Sequence, residues 1–387
     1  MTTHASTATI RKVKPRPKVK FSQMNAAGFA QDVRKEVAQH FAERGISEKA
    51  NAKMVLKTVS LLALTFVPYA LILNGTGGPW GMLGLAFLMG MGIAGMGFSI
   101  SHDGLHGAYS DKPWVNRIIG ATFDLAGASG YMWKITHNVI HHTYTNIHGV
   151  DEDLEVSPLL RLSPHSELQW FHRFQHKYAF LAYSMSTLNW VLVKDFQQFM
   201  RKDLGPYTNK KHPTSAWAGL FAGKALHYTW TIAIPLLVAP ITWWQFAIGF
   251  LAMHATAGFI LGIIFQLAHV VEETEQTIPP ASGMMPDEWT VHEMMTTSNF
   301  ARKSALLTWY VGGLNYQVEH HLFPKVCSIH YPDIAPIVER VAERHNVPYN
   351  AHPTLWIAIK SHYVTLRQLG QDAWAQRTAT PVLAKAA

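Results

Sequence analysis

Apolar residues in this chain gather into long runs separated by polar stretches. Two of them, 54–73 and 80–100, are each about twenty residues, enough helix to cross a roughly 30 Å hydrocarbon core. The connector NGTGGP between them leaves room only for a hairpin. A second pair, 226–240 and 243–268, meets at a proline-containing turn; the 226–240 run is the shorter and contains Pro235. The stretch 118–132 is also apolar, but Asp124 and several small residues favour a re-entrant or interfacial helix. Before the first run, Phe29, Val33, Val37 and Phe41 recur every four residues in a charged background. That spacing predicts an amphipathic helix, lying on a membrane surface or against a cytosolic domain. No solenoid-length repeat is visible. The pattern predicts an all-α, four-span helical bundle of two hairpins with a cytosolic helical cap. Its divisions are a basic tail and interfacial helix at 1–53, a membrane domain at 54–345, and a C-terminal cytosolic segment at 346–387.

Composition agrees with a membrane reading. Of 387 residues, 48% are hydrophobic and 15% are charged, against about a quarter charged in soluble chains. Disordered, collagen-like and disulfide-scaffold classes are excluded, because the single Cys327 has no partner for an internal bridge. A lone cysteine also suits a chain whose bulk faces a reducing cytoplasm. The net charge of +8 resides entirely in residues 1–57; the remainder is balanced. The run RKVKPRPKVK at 11–20 has no apolar core and is not a signal peptide. It is too short and too poor in aromatics for a nucleic-acid site. The positive-inside rule then places 1–53 in the cytoplasm, and with it 101–225 and 269–387. Both termini are cytoplasmic in this topology.

Histidine changes the picture most, with 22 in the chain. His102 and His106 (HDGLH) lie just past the inner end of the second span, at an i, i+4 spacing that puts both rings on one helix face. His137, His141 and His142 (HNVIHH) lie on the first cytosolic segment. His269 follows the fourth span, and Gln317, His320 and His321 (QVEHH) lie on the last segment. All eight histidines fall on one side of the membrane in a topology derived without them. Neutral imidazole suits Zn, Fe, Cu and Ni. One zinc takes about four ligands, so eight imidazoles plus Gln317 match two ions with open positions. The other fourteen histidines, among them His172, His176, His227, His254 and His292, are assigned no ligand role.

The three motifs, in order and at compatible spacing over roughly residues 55–345, resemble the histidine boxes of the integral-membrane fatty acid desaturases. Glutamine at the head of the third box, in the context GGLNYQVEHHLFP, and TTSNFA at 296–301 resemble the front-end subgroup, typified by linoleoyl-CoA (delta-6) desaturases. The resemblance implies a di-iron site in the cytosolic cap. Its ligands are His102, His106, His137, His141, His142, His320 and His321, with His269 as the extra ligand and Gln317 as a further candidate. It implies an enzyme that uses two irons, O2 and two electrons to place a cis double bond in a long-chain acyl group linked to CoA or lipid. The fused cytochrome b5 domain of many eukaryotic relatives carries a haem-binding HPGG; here His212–Pro213 and His352–Pro353 are each followed by threonine. An external donor of ferredoxin or cytochrome b5 type is therefore expected, and a bacterial inner membrane as the location.

Chemistry points the same way, because an unactivated methylene yields hydrogen only to a redox metal with dioxygen. Ligating histidines usually donate their other N–H to a carboxylate, carbonyl or water, which makes Asp103, Asp151, Glu152, Asp153 and Glu319 candidate partners. Asn315 is a candidate for holding a metal-bound water. Trp133, Trp170, Trp190 and Trp309 are candidate walls of an acyl tunnel. Arg117, Lys134, Arg173, Lys177, Arg302 and Lys303 are candidates for a CoA phosphate. A hydroxylase on the same di-iron core is the nearest alternative, told apart by product mass. A metal transporter is remote, since transport favours ligands near mid-bilayer and only His254 lies inside an expected span.

Overall fold

The computed structural model describes residues 18–22, 28–154 and 157–384, with side chains as far as residue 378. Most of the basic run, 11–17, and Glu155 lie outside the described residues. The described residues are mostly helical, and their strands are two parallel two-residue pairs: Lys20–Phe21 with Met284–Met285, and Asn299–Phe300 with Ala351–His352. Among the described residues, three helices are long and apolar enough to cross a bilayer: Ala52–Leu73, Gly78–His106 and Trp243–His269.

Local sequence explains where each begins and ends. The Asn51 side chain caps the first by accepting from Met54 N at 3.1 Å, and Thr242 with Gln245 forms a capping box at the start of the third. The second changes to π geometry over Met96–Ser101 and stops at Gly107, whose φ of 72° terminates the helix one residue after His106. The three pack through small residues, as membrane helices do. A Cβ at Gly92 would sit 2.7 Å from Thr65 N, and one at Gly90 2.5 Å from the Met253 carbonyl. Glycine at these two positions lets the second helix touch both neighbours.

The expected span at 226–240 is different from the other three. It is the end of a helical run over 214–238 that adopts π geometry at Thr229–Ala233 and stops before Pro240. Lys224 and His227 lie buried within it. Those polar residues and Pro235 are why this segment is not an uninterrupted apolar helix.

A lobe of shorter helices covers the histidine-bearing ends of these helices. Phe29–Arg44 is the expected amphipathic helix, and Phe29, Val33, Val37 and Phe41 are all buried against Ile334, Val338 and Val341 of Tyr331–Arg344. Of its two sequence-derived placements, the stripe takes the protein surface. Glu36 reinforces the contact through Arg340 at 2.8 Å. On the other flank Leu355–Arg367 packs against the third apolar helix and Gln175–Ser184. The short helix Gln317–Leu322, buried at every residue, lies between these layers.

Candidate metal centre

Four separated segments bring their histidines into one buried cage. His102 and His106 occupy the last turn of the second apolar helix, with ring centroids 4.6 Å apart. The second box lies on a π-helical segment, Lys134–His141, where His142 N donates to His137 O at 3.0 Å. The wider π turn, a feature frequent at functional sites, brings all three of its rings to one side: His137 stands 4.9 Å from both His141 and His142. His269 ends the third apolar helix, and His320 and His321 come from Gln317–Leu322.

The ligand atoms sort into groups within 4.8 Å of one another: His102, His106, His137 and His320; His141, His269 and His321; and His142, His320 and His321. His142 thus adjoins both ends of the cage, 4.5 Å from His320 and 4.3 Å from His321 by ring centroid. Gln317 lies at the second group, its amide nitrogen donating to His269 Nε2 at 2.9 Å. All nine sequence-derived residues meet, and all but His106 are buried.

The back of each ring decides its chemistry. His137 Nδ1 faces Asp153 Oδ2 at 3.0 Å, His141 Nδ1 faces Asp151 Oδ2 at 2.9 Å, and His321 Nδ1 faces Glu293 Oε2 at 2.6 Å. His320 Nδ1 meets the Tyr331 hydroxyl at 3.2 Å, and His269 Nδ1 the Thr296 carbonyl at 3.4 Å. A carboxylate or carbonyl can only accept, so the Nδ1 opposite it carries the proton and Nε2 is left as a lone pair. The Nε2 atoms of His106, His137, His141, His142, His320 and His321 are all buried without a partner. Each such atom costs about 1–3 kcal/mol if nothing meets it. A cage of converging, unpartnered lone pairs fits cations, and the donor set fits a pair of transition-metal ions.

Electrostatics favour the ligating form. Burial first, then the neighbouring imidazoles, hold His137, His142, His320 and His321 well below the usual histidine range. These rings are neutral at physiological pH. Burial opposes charge on His141 too, but the adjoining Asp151 carboxylate outweighs it and raises its pKa. Burial pushes Glu319 to about 7 despite hydrogen bonds from Tyr349 and Asn299.

Of the five carboxylates proposed as partners from sequence, Asp151 and Asp153 hold box histidines. Asp103 does not: its Oδ2 accepts from Ser328 N at 3.1 Å, Ser328 Oγ at 2.9 Å and Cys327 Sγ at 3.1 Å, while Oδ1 is 3.9 Å from His102 Nδ1, too far for a hydrogen bond. Glu152 instead pairs with Arg201 at 2.6 Å, and Glu319 accepts from Asn299 and Tyr349. Nearer donors claim all three of these carboxylates. Asn315 turns its amide nitrogen to the Phe300 carbonyl and Thr308. Trp133 stacks on His137 at 4.3 Å and meets His102 and His106 edge-on at 5.4 and 5.3 Å, whereas Trp170 is 60% exposed. Arg302 is engaged by Glu339. Sequence reasoning missed Glu293, Thr145, Tyr331 and Phe265. Thr145, four residues after His141, and Phe265, four before His269, were the two positions where an i, i+4 rule would have drawn notice; Glu293 and Tyr331 offered no such spacing.

Comparison with known proteins follows the same line. Residues 78–353 match the family described as fatty acid desaturase. The chain is 37% identical over 347 residues to an sn-1 linoleoyl-lipid 6-desaturase of Arthrospira platensis, covering 88% of this chain and 92% of that one. It is 34% identical over 359 residues to a protein of the same description from Synechocystis sp., covering 92% and 98%. An acyl-lipid (8-3)-desaturase of Physcomitrium patens is 33% identical over 340 residues, covering 87% and 71%.

Proposed function

Because the chain belongs to the fatty acid desaturase family and is a membrane-bound fatty acyl desaturase, an oxidoreductase, we propose that it places a cis double bond at the 6 position of a long acyl chain carried on a membrane lipid. The relatives described as sn-1 linoleoyl-lipid 6-desaturases support that substrate. Two irons would be held by His102, His106, His137 and His320 and by His141, His269 and His321, with His142 adjoining both groups and Gln317 adjoining His269. The observation that carries this assignment is the convergence of buried, unpartnered Nε2 atoms.

Iron held there would supply the O2 chemistry that, with two electrons from a separate ferredoxin- or cytochrome b5-type carrier and two protons, would take one hydrogen from each of two adjacent methylenes and release both oxygens as water. The protein's own part is position and exclusion. Asp153, Asp151 and Glu293 fix the ring tautomers and make their histidines better donors. Trp133 on the first group, and Phe265 at 5.3 Å from His141 and 5.0 Å from His269, present apolar rings to the cage. A methylene is thereby favoured over water beside the histidines. We place both termini in the cytoplasm of a bacterial inner membrane, with the 214–238 run as a fourth, polar-interrupted span. The basic N-terminal arm and the common position of the histidines at the inner helix ends support this.

Expression in a host lacking polyunsaturated lipids tests the reading. Lipid mass spectrometry is expected to show an acyl product short of two hydrogens with its new bond at position 6, absent from His320→Ala. A product heavier by one oxygen would instead identify a hydroxylase.

A further inference from the structure

A second cavity lies at the opposite end of the bundle from the histidines. Of about 320 Å³, it is bounded by the start of the second apolar helix, the start of the third, and the end of the 214–238 run. Its walls include Met82, Ala86 and Met89 on one side and Phe246, Gly249 and Met253 on the other, and its lining contains no charged residue and no histidine. Two of its polar members are turned away: the Tyr69 hydroxyl donates to the Trp230 carbonyl at 2.6 Å, and the Thr231 hydroxyl to the His227 carbonyl at 2.6 Å. Gln245 spends its carbonyl oxygen on the Thr242 cap. A cavity with so few free polar groups does not hold water well.

Its dimensions name the occupant. From Trp80 to Met89, and from Trp244 to Met253, the lining runs nine residues along each helix, about 13 Å at 1.5 Å per residue. That depth is close to one leaflet of a roughly 30 Å hydrocarbon core. Its lining includes Trp80, 84% exposed, and Trp244, 50% exposed, the residue type that settles at membrane interfaces. The cavity floor at Met253 is sixteen residues above His269, about 24 Å of helix. A chain seated here is therefore outside the reaction centre. We infer that this cavity is a binding site for one acyl tail of a bilayer lipid from the leaflet opposite the histidine cage, selected by its uncharged, leaflet-deep shape. The site depends only on the membrane placement of these helices, and it stands apart from the desaturase assignment.

The test uses the full-length enzyme in vesicles of phosphatidylcholine carrying a diazirine near the end of one tail. After illumination, peptide mass spectrometry is expected to find adducts on 82–89 and 246–253 at about tenfold the density on the lipid-facing side of Ala52–Leu73. Gly249→Phe fills the cavity from a position where an added Cβ meets only the Ala86 Cβ, 3.9 Å away. It is expected to lower those adducts about fivefold or more while desaturation stays within about twofold of wild type. Ala86→Leu is the milder filler if the larger ring prevents membrane insertion. Labelling spread evenly over the bundle, or unchanged by either filler, overturns the proposal. So does a change in double-bond position on filling, which would give the cavity to the substrate's own tail. Loss of desaturation by wild type itself would overturn the functional reading and leave this site untouched.

Discussion

The two ends of the histidine cage are built to different standards of rigidity. In the group of His141, His269 and His321, every Nδ1 is backed by a carboxylate or carbonyl, and every ring is wholly buried. In the group of His102, His106, His137 and His320, His137 and His320 are backed, His102 Nδ1 is buried without a partner, and His106 is partly exposed. The difference follows from where the ligands sit. His102 and His106 end an apolar helix beside the Asp103–Ser328 contact, while the other group is enclosed by Trp289–Thr296 and the Asp151 carboxylate. One ion is therefore expected to be locked, the other more exchangeable.

Removing a shared ligand should erase the contrast altogether. His320 and His321 each take part in two of the three groups, so His320→Ala or His321→Ala is expected to abolish desaturation. Iron should fall from near two per chain, the value eight imidazoles support at about four per ion, to one or fewer. Elemental analysis beside lipid profiling checks both. Next in size, Glu293→Gln is expected to cost 10–100-fold in metal affinity or activity, the usual effect of removing a partner behind a ligating histidine. Asp103→Asn, whose carboxylate lacks such a bond, should leave iron content unchanged and lower only thermal stability. Equal iron loss in both variants would end the distinction between the two ends.

Chelation should sharpen it further. Dialysis against a chelator is expected to remove iron in two phases of comparable amplitude, the faster from the group containing His106. A smaller effect concerns acid. Burial and mutual repulsion keep His137, His142, His320 and His321 neutral in the folded protein, yet in the unfolded chain they protonate near 6.5. The unfolded state then binds more protons, so metal-free protein loses stability as pH falls below about 6.5. His141, raised by Asp151, has the opposite sign but is one ring against four. Melting temperature measured from pH 7.5 to 5 should fall for the metal-free protein and at least as steeply for the iron-loaded one, whose ligating rings cannot take up protons either.

Much of this was legible without coordinates, where the signal was local. The apolar runs at 54–73, 80–100 and 243–268 foretold the helices Ala52–Leu73, Gly78–His106 and Trp243–His269, and the spacing of Phe29, Val33, Val37 and Phe41 foretold the amphipathic helix. HDGLH declares a shared face by itself. The 226–240 segment was harder, because its helix begins twelve residues earlier in a polar context and burial of Lys224 depends on Asp195, 2.7 Å away and 29 positions distant. Glu293 was invisible for a related reason: it reaches His321 across 28 residues, and no periodicity connects them.

Helix period, run length and imidazole coordination chemistry are properties of short stretches, so residue order alone pointed to a helical membrane protein with eight histidines in three motifs and at one helix end. Which carboxylate stands behind which ring, which of the two groups is locked, and that a leaflet-deep cavity opens between distant hairpins were decided only in three dimensions. Each of those outcomes is a competition among partners far apart in the chain, and the winner is set by packing distance.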